Sequence, residues 1–214
     1  MVTVKRQTGL RVRQREKRKE NILYAAGELF ASAGYDATSL EQIGAAADVS
    51  VPTIYTFFAS KEDLLLGLLE TDRRLLVPHL EDILASPPDD PIEAVLAVSL
   101  TVLTGGYDID KKSVWREILA ASFRGSPERR HQYTKLQVLQ TDYLERIVNL
   151  MRDRGSLIRG INARRTARVV HAIGRYCFRE FLMEDDLKRD DLRTLVEADV
   201  REYLAHAVTG AAKA

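Results

Sequence analysis

Val51, Thr53, Tyr55 and Thr56 bring methyl, hydroxyl and aromatic groups together on one short stretch, with no acid among them. The chemistry such a set can do is non-covalent. Hydroxyls reach the phosphates and base edges of DNA, and methyls touch the methyl of thymine. The elements that must position them lie in Ser39–Lys61, read as a short helix, a tight turn, a second short helix, another turn and the start of a third helix. Thr38, with Glu41 three residues on, has the form of a capping box. Leu40, Ile43 and Ala47 follow at helical spacing, and Asp48-Val49-Ser50 interrupts them. Ser50 is a second N-cap, with Pro52 in the first turn, where a missing N–H costs nothing. Ile54, Phe57 and Phe58 form the next apolar stripe, and Ser60 is a third cap with Asp63 at its N3 position.

Covalent chemistry has no comparable support. The sequence holds no G-x-G-x-x-G, G-x-x-x-x-G-K-[ST], H-E-x-x-H or G-x-S-x-G pattern. His79, His131, His171 and His206 are too dispersed for a local metal site. Cys177, the single cysteine, sits in an apolar stretch and reads as a buried thiol. The expectation is a non-enzyme with no cofactor and no metal.

The chain of 214 residues has a net charge of +1, which conceals an asymmetry. Lys5, Arg6, Arg11, Arg13, Arg15, Lys17, Arg18 and Lys19 face only Glu16 in the first nineteen residues, so the remainder is acidic. A basic end on an acidic body points to an anionic partner reached from that end. The N-terminus lacks the apolar core of a secretory signal, and no run is long enough to span a membrane. One cysteine means no disulfide framework, which fits a cytoplasmic location and no membrane partner.

Only helical periodicity follows, so the predicted class is all-α: an N-terminal three-helix helix-turn-helix domain plus a C-terminal helical bundle, about nine helices in total. Residues 1–14 read as a basic flexible arm and 15–60 as the helix-turn-helix domain, with helix 1 over 15–33 ended by Gly34. Residues 61–86 form a connecting helix 4 with a kink expected at Pro78, before the linker Ser86-Pro87-Pro88-Asp89-Asp90-Pro91. Residues 87–214 form the second domain. Its helices are expected near 92–103, behind Asp108 or Asp110, over 127–154, over 163–183 behind Asn162, and over 191–208 behind Asp190.

Residues 17–66 closely resemble the N-terminal domain of tetracycline-repressor-type (TetR family) regulators. The family's I-x-x-A-A-x-x-L-F-x-x-x-G-Y/F is matched by Ile22, Ala25, Ala26, Leu29, Phe30, Gly34 and Tyr35. Its T-S/T-x-x-x-I-A-x-x-A-G-V-S is matched from Thr38 to Ser50, with Asp48 in place of the turn glycine, a residue that tolerates the left-handed region. Its T-x-Y-x-x-F-x-S-K-E-x-L is matched by Thr53, Tyr55, Phe58, Ser60, Lys61, Glu62 and Leu64. Pro52 stands where glycine is frequent.

The resemblance implies a sequence-specific DNA-binding transcriptional regulator, a repressor released from its operator by a small-molecule effector; the alternative is a ligand-independent activator or architectural factor. It implies that the second short helix enters the major groove. There Ser50, Val51, Pro52, Thr53, Tyr55 and Thr56 would meet phosphates, base edges and thymine methyls. Lys61, Thr38 and Ser39 would reach phosphates at helix N-termini, and Arg13, Arg15, Lys17 and Arg18 would add salt-sensitive affinity. One such motif buries little surface, so a homodimer on a near-palindromic double-stranded operator is expected. Helices 8 and 9 are its candidate interface. The family's second domain also implies an effector pocket, for which Tyr107, Trp115, Phe123, Tyr143 and Tyr176 are the candidate aromatics, with His171 or Arg175 as a polar handle. Arg164, Arg168, Arg175 and Arg179 read first as a solvated face of helix 8, and as cross-dimer partners second.

Overall fold

In the computed structural model the backbone is described for residues 2–105, 108–124 and 126–209, and side chains from residue 11 onward within those ranges. Among the described residues there are nine α-helices: α1 (Val2–Ser32), α2 (Leu40–Ala46), α3 (Val51–Tyr55), α4 (Lys61–Ala85), α5 (Pro91–Thr104), α6 (Lys112–Ala121), α7 (Pro127–Asp153), α8 (Ala163–Met183) and α9 (Arg189–Leu204). A 3-10 turn (Ala205–Ala207) follows, and the sole β-type pairing among them is an isolated bridge between Leu157 and Val208. No helix among them is long and apolar enough to cross a membrane. The chain divides into two compact units, one of residues 1–68 with 113–121, the other of 69–112 with 122–214.

The first unit is built on α1. Ile22, Leu23, Ala25, Ala26 and Phe30 are buried on its inner stripe. Gly34 ends the helix with φ 89°, a region glycine enters freely. Tyr35 folds back so that its ring lies 5.0 Å from that of Phe30. Ile43, Ile54, Phe58, Leu64 and Leu65 complete the buried core. The fully buried leucine and isoleucine side chains each contribute about 1.5–3 kcal/mol of transfer free energy. Residues 113–121 of α6 belong here as well, with Val114, Trp115 and Ile118 buried. Periodicity shows that α6 has an apolar stripe but not which core receives it, so the sequence alone misplaces it in the second domain.

Helix α1 reaches back to Val2, so residues 2–14 are helical and not the irregular arm expected from their composition. Arg, Lys, Gln and Leu are good helix formers and the segment has no proline, against a cost of about 1 kcal/mol at Gly9 and smaller costs at its valines and threonines. Polarity removes the apolar period from this stretch without removing its helical propensity.

In the second unit α7 packs on α8 and α5, and α9 on α8 and α5. Asp90 caps α5, its Oδ1 accepting from the amides of Ile92 (2.8 Å) and Glu93 (2.9 Å). Asn162 caps α8 through the Arg165 amide (2.9 Å). Helix α9 starts at Arg189, two residues before its expected start. Asp191 acts as the N3 carboxylate of a capping box, accepting from the Lys188 amide at 2.7 Å. Asp190 is therefore not the cap. Helix α4 continues through Pro78, which is exposed. Glu81 on α4 accepts from the Tyr143 hydroxyl (2.6 Å) and from both terminal nitrogens of Arg146 (2.8 and 2.9 Å) on α7. The Arg146 guanidinium first and the Tyr143 hydroxyl second hold the Glu81 carboxyl down to about 2, as donors to a charged carboxylate do.

Candidate nucleic-acid interface

The two short helices are locked by their caps. Ser39, not Thr38, begins α2: its Oγ accepts from the Gln42 amide (3.3 Å), and Gln42 Oε1 accepts from the Ser39 amide (2.7 Å). The capping box therefore lies one residue later than the sequence suggests. Thr38 is 2% exposed, and its hydroxyl lies 2.7 Å from the Gly34 carbonyl and 3.2 Å from that of Leu29. It closes the end of α1 and presents no hydroxyl to a phosphate, which corrects its assignment to the DNA-facing set. Ser39 stays half-buried at the start of α2.

The turn between α2 and α3 is a Schellman motif. The Val49 amide donates to the Gly44 carbonyl (2.9 Å) and the Asp48 amide to the Ala45 carbonyl (3.4 Å). Asp48 occupies the left-handed position with φ 54°, a conformation that aspartate adopts more readily than most L residues. Gly44 permits the tight return of the chain, because a Cβ there would meet the Val49 carbonyl oxygen at 2.7 Å.

Helix α3 is only five residues long. Ser50 caps it, its Oγ accepting from the Thr53 amide (3.4 Å) and lying 2.9 Å from Thr53 Oγ1. Ile54 points into the core, so the opposite face is turned outward: Pro52 and Thr56 are exposed, Tyr55 is 55% exposed, and Val51 and Thr53 are half-buried. The Thr56 hydroxyl donates to the Thr53 carbonyl (2.7 Å) at the helix end.

Two sets of cations flank this face. Lys61, first residue of α4, is half-buried with its Nζ 4.3 Å from the centre of the Tyr35 ring and 3.4 Å from the Asp36 carbonyl oxygen. The first of these is a cation–π contact. On α1, Arg15 lies over the Phe57 ring (5.3 Å) and Lys19 over Phe58 (5.9 Å). Arg13, Lys17 and Arg18 are exposed. Because the segment is helical, its charges are distributed over faces: Arg11 and Arg15 fall one turn apart on one stripe, and Arg13 and Lys17 on another.

The residues named for an effector do not converge as a group. Tyr107 lies outside the described residues. Trp115 belongs to α6 in the first unit, whereas the others belong to the second. Phe123 and Tyr176 are exposed, so neither lines an interior site. Tyr143 is buried, with its hydroxyl turned to Glu81. Aromatic type is a poor guide here, since helix phase decides which rings face inward.

His171 and Arg175 do fall in one place, one turn apart on α8, together with residues that the sequence does not single out. Arg73 on α4 pairs with the neighbouring Asp72 (3.0 Å) and donates to the Val102 carbonyl on α5 (3.1 Å). Gln140, buried on α7, accepts from Arg73 (2.6 Å to Nη2) and donates to His171 Nδ1 (3.2 Å) in the amide orientation that satisfies both, the criterion by which such amides are oriented. Burial first, then the charges of Arg175 and Arg73, push the His171 imidazole down to about 4, since each disfavours the imidazolium. Burial also lowers the Arg73 pKa, opposed by Asp72 and assisted by Arg175. The one signal in the sequence is that Asp72 and Arg73 interrupt the leucine pattern of α4. Cys177 is buried, its thiol 3.6 Å from Asp199 Oδ2, and burial above all raises it to about 11. It is an inert thiol.

Comparison with known proteins agrees with this frame. Residues 22–68 match the family model for bacterial regulatory proteins of the tetR family. The chain is 38% identical over 65 residues to the HTH-type transcriptional repressor NicS of Pseudomonas putida, covering 30% of this chain and 31% of NicS, so it matches about a third of that relative's length. It is 26% identical over 193 residues to the HTH-type transcriptional regulator TcmR of Streptomyces glaucescens, covering 89% of this chain and 84% of TcmR. Among solved structures, SmeT, the repressor of the Stenotrophomonas maltophilia multidrug efflux pump SmeDEF, has the same fold, with TM-score 0.67, 24% identity, and 90% of this chain and 92% of that one covered. SmeT has also been solved with triclosan. Residues 22–68 thus carry the helix-turn-helix of the tetR family of bacterial regulatory proteins, and the chain as a whole shares the fold of SmeT.

Proposed function

We propose that this protein is a sequence-specific DNA-binding transcriptional repressor that acts as a cytoplasmic homodimer on a near-palindromic operator and leaves it when a small molecule binds the second unit. The observation that carries the reading is the outward face of α3, capped at its start and free of acids. Val51, Pro52, Thr53 and Tyr55 would read the major groove. Ser39 at the α2 start and Arg13, Lys17 and Arg18 on α1 would hold phosphates. No catalytic role is assigned.

The dimer is supported by apolar side chains left outward on α8 and α9: Tyr176 at 51%, Met183 at 71% and Leu195 at 36% exposure. The α9 stripe of Leu192, Val196, Val200 and Leu204 is spent inside one chain, where all four are buried. Effector release is supported by the continuity of α4, which begins beside α3 in sequence and ends in the second unit, and by the buried polar cluster there. Binding of triclosan by SmeT, a protein of the same fold, is consistent with such a domain.

The test is selection of bound sequences from a random duplex library. A two-fold symmetric consensus with half-sites about one helical turn apart, or a multiple, is expected. Changes at Thr53 or Pro52 should alter the selected bases, while Tyr55→Ala should weaken every sequence. Unchanged selection and affinity in all three variants removes α3 from the interface.

A further inference from the structure

The second unit buries more positive than negative charge at one point. Arg73, 12% exposed, is matched by Asp72, 3% exposed, at 3.0 Å. Arg175 is half-buried on α8 and makes no hydrogen bond or ion pair with any described residue. It nevertheless lies near enough for its charge to act on both Arg73 and His171. His171 contributes no charge at neutral pH. Because its Nδ1 accepts from Gln140, its proton sits on Nε2, leaving one N–H donor unspent. The cluster thus holds two guanidiniums, one carboxylate and a neutral imidazole donor, a surplus of one positive charge. Helix α8 comes close to α5 beside it: a Cβ on Gly174 would meet Leu103 at 3.1 Å and the Ser99 hydroxyl at 3.6 Å.

A partly buried cation without a partner is costly, and a guanidinium binds a carboxylate in a two-pronged geometry. We propose that Arg175, with His171 and Arg73 beside it, binds the carboxylate of a singly charged organic anion. The inference rests on reading the second unit as the effector domain and names the chemical class of the effector. One surplus charge matches one carboxylate. A phosphate dianion would overshoot it and would be repelled by Asp72.

The test uses the full chain with decanoate and benzoate as anionic probes, decan-1-ol and benzamide as neutral counterparts, and decylamine as a cation. Calorimetry and the thermal midpoint report binding, and release of a selected DNA duplex reports function. The carboxylates should bind at least about tenfold more tightly than their neutral counterparts, as a charge-assisted contact requires. Arg175→Gln should abolish that preference without lowering the melting midpoint of the free protein, since Arg175 has no internal partner to lose and its charge opposes those of Arg73 and His171. Arg168→Gln, an exposed change on the same helix, should leave the preference intact. Neutral or cationic probes that bind as tightly as carboxylates and release the duplex would overturn the anion site and leave the effector domain standing. A carboxylate preference that survives Arg175→Gln would overturn the assignment of the residue. Failure of every probe to bind or to release a duplex the protein does bind would overturn the anion site and the effector reading together.

Discussion

Lys61 and Tyr35 are joined face to charge, the ammonium 4.3 Å from the ring centre at the point where α4 begins. The lysine is thereby tied to the α1–α2 connection, and its Nζ is also 3.4 Å from the Asp36 carbonyl oxygen. An ammonium held in this way can still offer a proton to a phosphate, because it has three donors.

The two roles separate under salt titration. Lys61→Met removes the charge and keeps the stem, so the slope of log affinity against log salt should fall by about 0.9, one phosphate's worth. Tyr35→Leu removes the ring and leaves the charge, so affinity should drop with the slope retained. Each should cost the first unit about 0.5–1 kcal/mol, the range for a partly exposed cation–π contact. Fluorescence anisotropy on a selected duplex gives the slopes. A Lys61→Met slope equal to that of the parent would confine the lysine to its structural role.

Asp48 sets a second expectation. It holds φ 54° at the residue just past the end of α2. Glycine meets no steric penalty there, and an L side chain pays about 1 kcal/mol. Glycine returns part of that gain through greater freedom of the unfolded chain. Asp48→Gly should therefore stabilise the first unit modestly, by about 0.5 kcal/mol, and Asp48→Val should destabilise it by more than about 1 kcal/mol. Trp115, the single tryptophan, is buried in that unit and reports its unfolding by fluorescence. A loss of stability in Asp48→Gly would mean that the aspartate makes a contact outweighing its strain.

These examples also show what a sequence can disclose. The helix-turn-helix is legible because local chemistry determines it: caps, a turn residue and an apolar period all act within a few positions. The error at Thr38 is a matter of register. Thr38 and Ser39 are both competent caps, and burial of one decides which is used. Helix α1 looks shorter in sequence than it is because its first half lacks an apolar face, though propensity carries it on. The polar cluster of the second unit is only half visible. His171 and Arg175 are in view, but Arg73 and Gln140 come from helices far apart in sequence, and nothing local brings them together. The effector aromatics fail for the same reason, since composition does not tell an inward ring from an outward one.

The N-terminal half of α1 gives a third test. Residues 11–14 are exposed, and the first buried side chain among those described is Ile22, so the test is deletion of residues 2–14. If Lys5, Arg6, Arg11 and Arg13 lie along DNA, the deletion should flatten the salt slope by about two units or more. If the segment is helical in the free protein, the deletion should also remove more far-ultraviolet helical ellipticity than the loss of the same length of coil would. A helical signal lost with the slope retained would leave the segment folded but away from DNA.

Acid should weaken the second unit through His171. Its imidazole is held down to about 4, chiefly by burial and then by Arg175 and Arg73, against an ordinary value of 6.5. The unfolded chain takes up a proton as pH falls below that ordinary value, while the folded chain does not until about 4. Stability therefore declines as pH drops through that window and levels off below it. The ceiling on the loss is about 3 kcal/mol, at about 1.4 kcal/mol for each pH unit separating the two midpoints. His171→Gln keeps an acceptor for the Gln140 amide and removes the titration. Urea unfolding of both proteins across this pH window should show the parent losing stability relative to His171→Gln as pH falls, by up to that ceiling, beyond the carboxylate losses common to both. A bound carboxylate would offset the neighbouring guanidiniums and favour the imidazolium, so decanoate should raise the His171 midpoint in a nuclear magnetic resonance titration of its ring protons. A midpoint at the ordinary histidine value in the free protein would show the imidazole to be in contact with water, and a low midpoint that decanoate leaves unmoved would place the anion away from this ring.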